Sequence, residues 1–277
     1  VYLAYNTNGL AHHRLEDALR LLADLGYRGV ALTPDAVHLD PYRTTEREWE
    51  AARALLERLG LRCVVETGAR YLLDPRRKHW PTLLTPDAEA AERRMDFYRR
   101  CLRLARTLGA EAVSIWSGAV EPGDAPAAAF DRLRARLPRL LDEAGAAGLP
   151  LCFEPEPGML VDGLARYREL RRKLGRSDLR TTIDVGHLVV TEPGAPHEHL
   201  AEFADSLRNV QLDDARPGVH EHLPPGRGVV DFAAVFRELR RLGYAGPLAL
   251  ELSRDSHRAA EAAEEAYRTL APLLEKI

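Results

Sequence analysis

Short apolar runs alternate with segments of helical periodicity along the whole chain. The runs predict strands at Tyr2–Asn6, Gly29–Thr33, Arg62–Glu66, Ala112–Trp116, Pro150–Glu154, Thr181–Asp184, Asn209–Asp213 and Leu248–Leu252. Between them the spacing predicts helices over roughly His13–Leu25, Glu46–Leu59, Asp87–Leu108, Pro126–Ala147, Asp162–Leu174, His197–Asp205, Phe232–Leu242 and Arg258–Leu274. Leu15, Ala18, Leu19, Leu22 and Leu25 illustrate the helical stripe. Five helices stop on the same signal, a glycine at residue 26, 60, 109, 148 or 243, where a left-handed cap belongs. The next apolar run follows at once. Strands buried on both faces and each followed by a helix predict an α/β protein of the (β/α)8 TIM barrel type, a single domain over residues 1–277. A doubly wound open sheet competes. It would bring a glycine-rich phosphate loop after its first strand, and Asn6-Thr7-Asn8-Gly9 is not one.

The αβ turns are tight, whereas the stretches Glu66–Thr85 and Asp213–Gly228 are long. Long connections at the C-terminal ends of strands are where a barrel places its active site. Three apolar runs end there in a carboxylate: Phe153-Glu154, Ile183-Asp184 and Leu250-Glu251. Glu66 and Asp213 or Asp214 stand at equivalent ends. In a barrel these acids share one rim, and acids so close repel unless a cation lies between them. Mostly oxygen ligands favour Mn²⁺ or Mg²⁺, while His187, His220 and His222 keep Zn²⁺ and Co²⁺ open. Each acid can instead be the N-cap of a following helix. Asp184 is the poorest candidate for that role, because Gly186 and His187 follow it and no helix is predicted there.

Other residues near the rim invite roles in substrate binding. Trp116 ends the fourth strand, where an aromatic face suits a sugar or the core equally. Arg216 precedes the His-x-His loop and can meet a substrate oxygen or a neighbouring carboxylate. Arg70, Arg76, Arg77, Lys78 and His79 form the most basic segment, either an anion site or a solvated charge run. His12 and His13 are expected at the surface.

Composition narrows the picture. The chain has 277 residues, 45% hydrophobic and 29% charged, with a formal net charge of −3. That balance offers no electrostatic case for nucleic acid or an anionic membrane. Three cysteines, Cys63, Cys101 and Cys152, without a Cys-x-x-Cys pair, predict reduced core thiols and a cytoplasmic protein. No apolar run reaches membrane-spanning length, and the N-terminus lacks a signal-peptide pattern.

Phe153-Glu154-Pro155, Asp184-Val185-Gly186-His187, Asn209 to Asp214, His222-Leu223-Pro224-Pro225-Gly226-Arg227-Gly228 and Glu251 resemble the xylose-isomerase-like TIM barrels. This is the sugar phosphate isomerase/epimerase superfamily, which also includes AP endonucleases of the endonuclease IV type. The resemblance covers nearly the whole chain. It implies one divalent ion held by Glu154, Asp184, Gln211 and Glu251, with Gln211 departing from the usual His of the seventh strand. It implies substrate contact by His187, and Glu156 as a loose counterpart of a further glutamate. His222, Glu66, Trp116 and Arg216 complete the expected substrate-binding set. The chemistry implied is isomerisation or epimerisation of a small sugar, sugar phosphate or polyol-derived carbonyl through an enediolate, with Glu154 and Glu251 as acid and base. A lyase, either a dehydratase or a sugar-eliminating enzyme, would use the same site. A phosphodiesterase on abasic DNA would need more imidazoles and a basic groove. A non-catalytic sugar-binding subunit would need no ion. Self-association is common among such barrels, and no interface is legible in this sequence.

Overall fold

The computed structural model describes residues 1–276. Its main sheet is a closed parallel barrel of β1 (Tyr2–Asn6), β2 (Gly29–Leu32), β3 (Arg62–Glu66), β4 (Val113–Trp116), β5 (Leu151–Glu154), β6 (Leu179–Asp184), β7 (Leu207–Leu212) and β10 (Pro247–Leu250), β10 pairing with both β1 and β7. A hairpin of β8 (Asp214–Arg216) and β9 (Val219–Leu223) stands apart from it. Outside lie α1 (Leu15–Leu25), α2 (Glu46–Leu59), α3 (Ala88–Leu108), α4 (Pro126–Ala146), α5 (Leu164–Leu174), α6 (Val185–Thr191), α7 (Phe232–Arg241) and α8 (Ala259–Glu275). All five predicted glycine stops have left-handed backbone, with φ between 66° and 102°. The predicted helix over His197–Asp205 is a 3-10 segment, Pro196–Phe203.

Strand alternation builds the interior. Outward residues such as Leu3, Val30, Val65, Ile115, Phe153, Ile183, Val210 and Leu248 pack into the helix layer. Inward residues form their own cluster, in which Tyr2, Ala4, Ala31, Val64, Ala112, Cys152 and Ala249 close the bottom. Two residues further along each strand the same parity turns polar. Ser114 pairs with Cys152 and Glu66 with Ser114, while Thr182 pairs with Asn209. The Ser114 and Thr182 hydroxyls lie 2.8 Å apart across the interior. One step higher come Trp116 beside Glu154 and Asp184 beside Gln211. Small apolar residues thus carry a polar layer, which carries the acids at the mouth.

Candidate active site

Glu66, Glu154 and Asp184 are the last residues of β3, β5 and β6, and Glu251 directly follows β10. All obey the inward parity set below them. A cavity of about 540 Å³ opens at this end, lined among others by Glu66, Glu154, Glu156, Gln211, Glu251 and Trp116. His187, His220, His222, Lys78 and Arg254 also reach it. Such a volume suits a small-molecule site. Asp184 lies off the main cavity, but its carboxylate, that of Glu154 and a ring nitrogen of His187 fall within 4.8 Å of one another.

Uncharged amides hold the glutamates. Asn209 Nδ2 donates to Glu66 Oε1 at 2.7 Å, and Asn8 Nδ2 to Glu251 Oε1 at 2.7 Å. Gln211 Nε2 stands 3.4 Å from Glu154 Oε2, a long hydrogen bond. Burial, then repulsion from Glu251, pushes the Glu66 carboxyl up to about 8. The same two causes raise Glu154 well above the usual range and Glu156 to about 7. Asn8 and Asn209 escaped the sequence reading. Their only signal is position: Asn209 shares the parity of Gln211, and Asn8 follows the end of β1.

Asp184 corrects one expectation. It does cap a helix: its Oδ1 accepts from Gly186 N at 2.7 Å and His187 N at 3.0 Å, opening the short α6. Its Oδ2 remains buried without a hydrogen-bond donor among the described residues. Opposing burial, His187 leads the contacts that hold the Asp184 carboxyl below its ordinary value. Asp213 lies beside it, raised by burial and by Asp184. Its Oδ2 is 2.6 Å from His222 Nδ1, and against the cost of burial this contact lifts the imidazole to about 10.

The segment expected to be a polar loop is the β8–β9 hairpin, and it brings His220 and His222 over His187. The three ring centroids lie 4.6 to 5.4 Å apart, and His220 Nε2 is 2.9 Å from His222 Nε2. More imidazoles therefore converge than the strand ends alone suggested. Burial, reinforced by these neighbours, drives His220 down to about 4. Asp214 faces the other way and staples the connection to α7, accepting from Gly226 N at 2.9 Å and Val230 N at 3.0 Å. Gly228 packs so tightly there that a Cβ would lie 2.3 Å from Ala215 O. Gly226 has nothing within 4 Å of an added Cβ but a left-handed φ of 87°, so packing accounts for the second glycine and backbone conformation for the first.

Arg216 does not take its expected place. It forms a two-pronged pair with Glu221 at 2.8 and 3.0 Å, its side chain 61% exposed, and does not line the cavity. Arg216 pairs in register with Val219, but its side chain reaches Glu221 further along β9, and the nearby carboxylate wins over the mouth. The basic segment divides. Arg77 pairs with Glu121 and Arg76 is exposed, whereas Arg70, Lys78 and His79 reach the cavity. His12 is exposed and His13 half-buried. All three cysteines are free and buried. Trp116 meets His79 edge-on at 5.3 Å, so it serves core and cavity together. No helix among the described residues is long and apolar enough to cross a membrane.

The residues fit a divalent cation. Asp184 Oδ2, Gln211 Oε1 and Asp213 Oδ1 are buried acceptors with no donor among the described residues. Leaving buried oxygens unpaired is costly, and a hard cation or a ligand hydroxyl supplies what they lack. Glu154 and Asp184 meet in one group with His187, and Gln211 adjoins Glu154. Glu251 is drawn aside to Asn8 and lies outside that group.

Residues 19–275 match the family described as xylose isomerase-like TIM barrel. L-ribulose-5-phosphate 3-epimerase UlaE of Shigella flexneri serotype 5b (strain 8401) is 25% identical over 239 residues, which are 85% of this chain and 81% of that protein. The UlaE protein of Escherichia coli (strain SE11) matches with the same identity and coverage. Among solved structures, an L-ribulose 3-epimerase superposes with a TM-score of 0.79 at 19% identity, covering 100% of this chain and 95% of the other. The IOLI protein with a bound zinc atom gives 0.79 at 17%, covering 100% and 99%. With its barrel, its rim of acids and a match spanning nearly its whole length, the chain belongs to the xylose isomerase-like TIM barrel family.

Proposed function

We propose that the protein is a divalent-metal-dependent epimerase or isomerase of a small ketose or its phosphate, working through an enediolate. The observation that carries this reading is the pair Glu154 and Glu251. They come from β5 and the end of β10, with β6 and β7 between them on the barrel, and both line the same cavity. Support comes from the 3-epimerase relatives and from the unpaired oxygens of Asp184 and Gln211. Glu154, Asp184, Gln211 and Glu251 would hold the ion, Mn²⁺ or Mg²⁺ by their oxygen chemistry, with Zn²⁺ or Co²⁺ drawn by the neighbouring imidazoles. When bound, it supplies electrostatic stabilisation of the oxyanion that forms as the C–H bond next to the carbonyl breaks.

The chain's own groups do the rest. One glutamate removes the proton from the carbon beside the carbonyl, and the other delivers a proton to the opposite face. Delivery to the same carbon inverts it; delivery to the neighbouring carbon moves the carbonyl. Asn8 and Gln211 orient the two carboxylates. His187, held with Nδ1 3.3 Å from Pro155 O, leaves Nε2 for a substrate oxygen. Trp116 offers a flat apolar wall.

The test is proton NMR in D₂O with Mn²⁺-loaded protein and a panel of ketopentoses, ketohexoses and their phosphates. Deuterium should enter at one carbon beside the carbonyl, with inversion or carbonyl migration. A dehydrated product would instead establish the lyase. No exchange in any sugar by ion-loaded protein overturns the proposal.

A further inference from the structure

A second chamber adjoins the acid-lined cavity. It measures about 200 Å³, and Lys78, His79, Trp116 and Met159 line both spaces. Three barrel connections build it: β3–α3 supplies Trp80, β4–α4 supplies Val120 and β5–α5 supplies Met159. These connections are locked together. Leu160 N donates to Gly118 O at 2.9 Å, and Val161 N to Ser117 Oγ at 3.1 Å. Gly118 also packs on Thr82, where an added Cβ would lie 2.5 Å from the threonine Cβ. A space whose walls are fixed in this way needs little ordering when it is filled.

The polar groups of the chamber are largely spent on one another. Glu121 accepts from Trp80 Nε1 on Oε1 at 2.9 Å and from Arg77 Nη2 on Oε2 at 2.9 Å. The Arg77 guanidinium lies 4.0 Å from the centroid of the Trp80 ring. Thr82 Oγ1 accepts from Leu84 N at 3.1 Å. What remains for an occupant is mainly apolar: Trp80, Trp116, Val120 and Met159. A second sugar ring would give up hydrogen bonds to water there and find few in return. A flat aromatic ring gives up none and packs edge-on or offset against the indoles. An apolar cavity of about 150 Å³ suffices for benzene, so this chamber admits one such ring with its linking atom. On the shared wall His79 sets Nδ1 2.7 Å from the Gly68 carbonyl, which leaves Nε2 for a substrate hydroxyl at the junction.

We infer that the substrate is a ketose bearing an aromatic ring linked through a terminal oxygen, the ring seated between Trp80, Val120 and Met159. This deepens the proposed function and rests on it for the reacting sugar, while the occupant of the chamber is argued from the chamber alone.

Two measurements on Mg²⁺-loaded protein test it. The first compares kcat/KM for a ketohexose with its 1-O-benzyl and 6-O-benzyl ethers, in the wild type, Trp80→Ala and Val120→Asp. One ether should be preferred over the parent by about tenfold or more, as burial of an aryl group predicts. Each variant should cut that ratio by about tenfold, and taking the ratio separates loss of the ring contact from general damage. The second is saturation-transfer NMR of the preferred ether, whose aryl protons should receive magnetisation from the wild type and much less from either variant. Circular dichroism melts show whether the variants fold, and Val120 lies in a half-buried loop position that tolerates change. Equal kcat/KM for both ethers and the parent, or a preference that neither variant reduces, overturns the inference while the epimerase reading stands. Aryl saturation lost in both variants, with no sugar turned over, keeps the chamber and fails the enzymatic reading instead.

Discussion

Gly186→Ala should damage the site although the residue carries no functional group. Gly186 lies in the first turn of α6, directly under Asp213, and an added Cβ would sit 1.8 Å from Asp213 Oδ1 and 2.6 Å from its Cγ. Real Cβ atoms stay at least 3.0 Å away, so the carboxylate or the helix must move by at least 1.2 Å. Neither can move freely. Asp213 is only 1% exposed and holds His222 at 2.6 Å, and the first turn of α6 is tied to Asp184 through Gly186 N and His187 N. Overpacking of this kind costs about 1–3 kcal/mol. For a domain of this size that lowers Tm by roughly 2–4 °C per kcal/mol. The displaced Asp184 and His222 should also cost at least about tenfold in kcat/KM, given the sensitivity of such geometry to shifts near 1 Å. Gly145→Ala supplies the control. It is an exposed residue of α4 with nothing within 4 Å of an added Cβ. It should gain about 0.5–1 kcal/mol, because alanine loses less backbone freedom on folding. Urea melts of both variants read the two signs directly. A Gly186→Ala protein as stable and active as the wild type would refute the packing argument, whatever the control does.

Other consequences are simpler to measure. Glu154→Gln and Gln211→Ala should each lower the divalent ion retained through gel filtration, read by mass spectrometry, and Gln211→His should shift retention towards zinc; equal metal content in all three would remove the proposed ligands. Glu154→Gln and Glu251→Gln should each reduce turnover by about 100-fold or more while circular dichroism stays unchanged. His79 is driven down to about 4, mainly by burial, and titrates near 6.5 when unfolded. Between those values the unfolded chain binds a proton that the folded chain refuses, so stability must fall as pH drops from 6.5 towards 4, by at most about 3 kcal/mol. Urea melts of the wild type should therefore lose more stability over that range than those of His79→Gln, and equal losses would contradict the assignment. Burial pushes the Cys63 thiol up to about 12 and raises Cys101 and Cys152 as well. Alkylation at pH 8 should leave all three untouched until denaturant is added.

Much of the barrel was legible because its signals are local. A leucine followed by glycine ends a helix whatever surrounds it, and an apolar run of four or five residues ending in Glu or Asp marks a strand mouth. Glu154 and Trp116 could be placed at the rim from those runs alone, whereas Gln211 entered only through the family resemblance. The hairpin was not legible. Val219 to Leu223 lies over the mouth rather than in the core, so it shows no buried face to alternate against. α6 was hidden for a related reason: it is one short stretch, Val185–Thr191, whose cap is the carboxylate that also serves the site. Arg216 was misplaced because proximity in sequence to a mouth does not say which neighbour a flexible cation will choose. Asn8 and Asn209 were missed because an uncharged polar residue beside a strand end looks like any loop residue until the parity of the strand is known.

The acids at the barrel mouth receive fewer hydrogen bonds than their oxygens can accept. Asn8 and Asn209 each spend one amide proton on one oxygen of Glu251 and Glu66, and Gln211 reaches Glu154 only at 3.4 Å. Asp184 receives two backbone protons on Oδ1 and none on Oδ2. The oxygens of Gln211, Asn209 and Asp213 add further acceptors without donors among the described residues. Among the described residues these buried oxygens are therefore short of donors. The chain cannot cure this imbalance by a small rearrangement, because β3 and β10 fix Glu66 and Glu251 through the parity of Val64 and Ala249 beneath them. A ligand that places hydroxyls and a cation among these oxygens satisfies them, and the unpaired polar groups are what make a bound state better than the empty one.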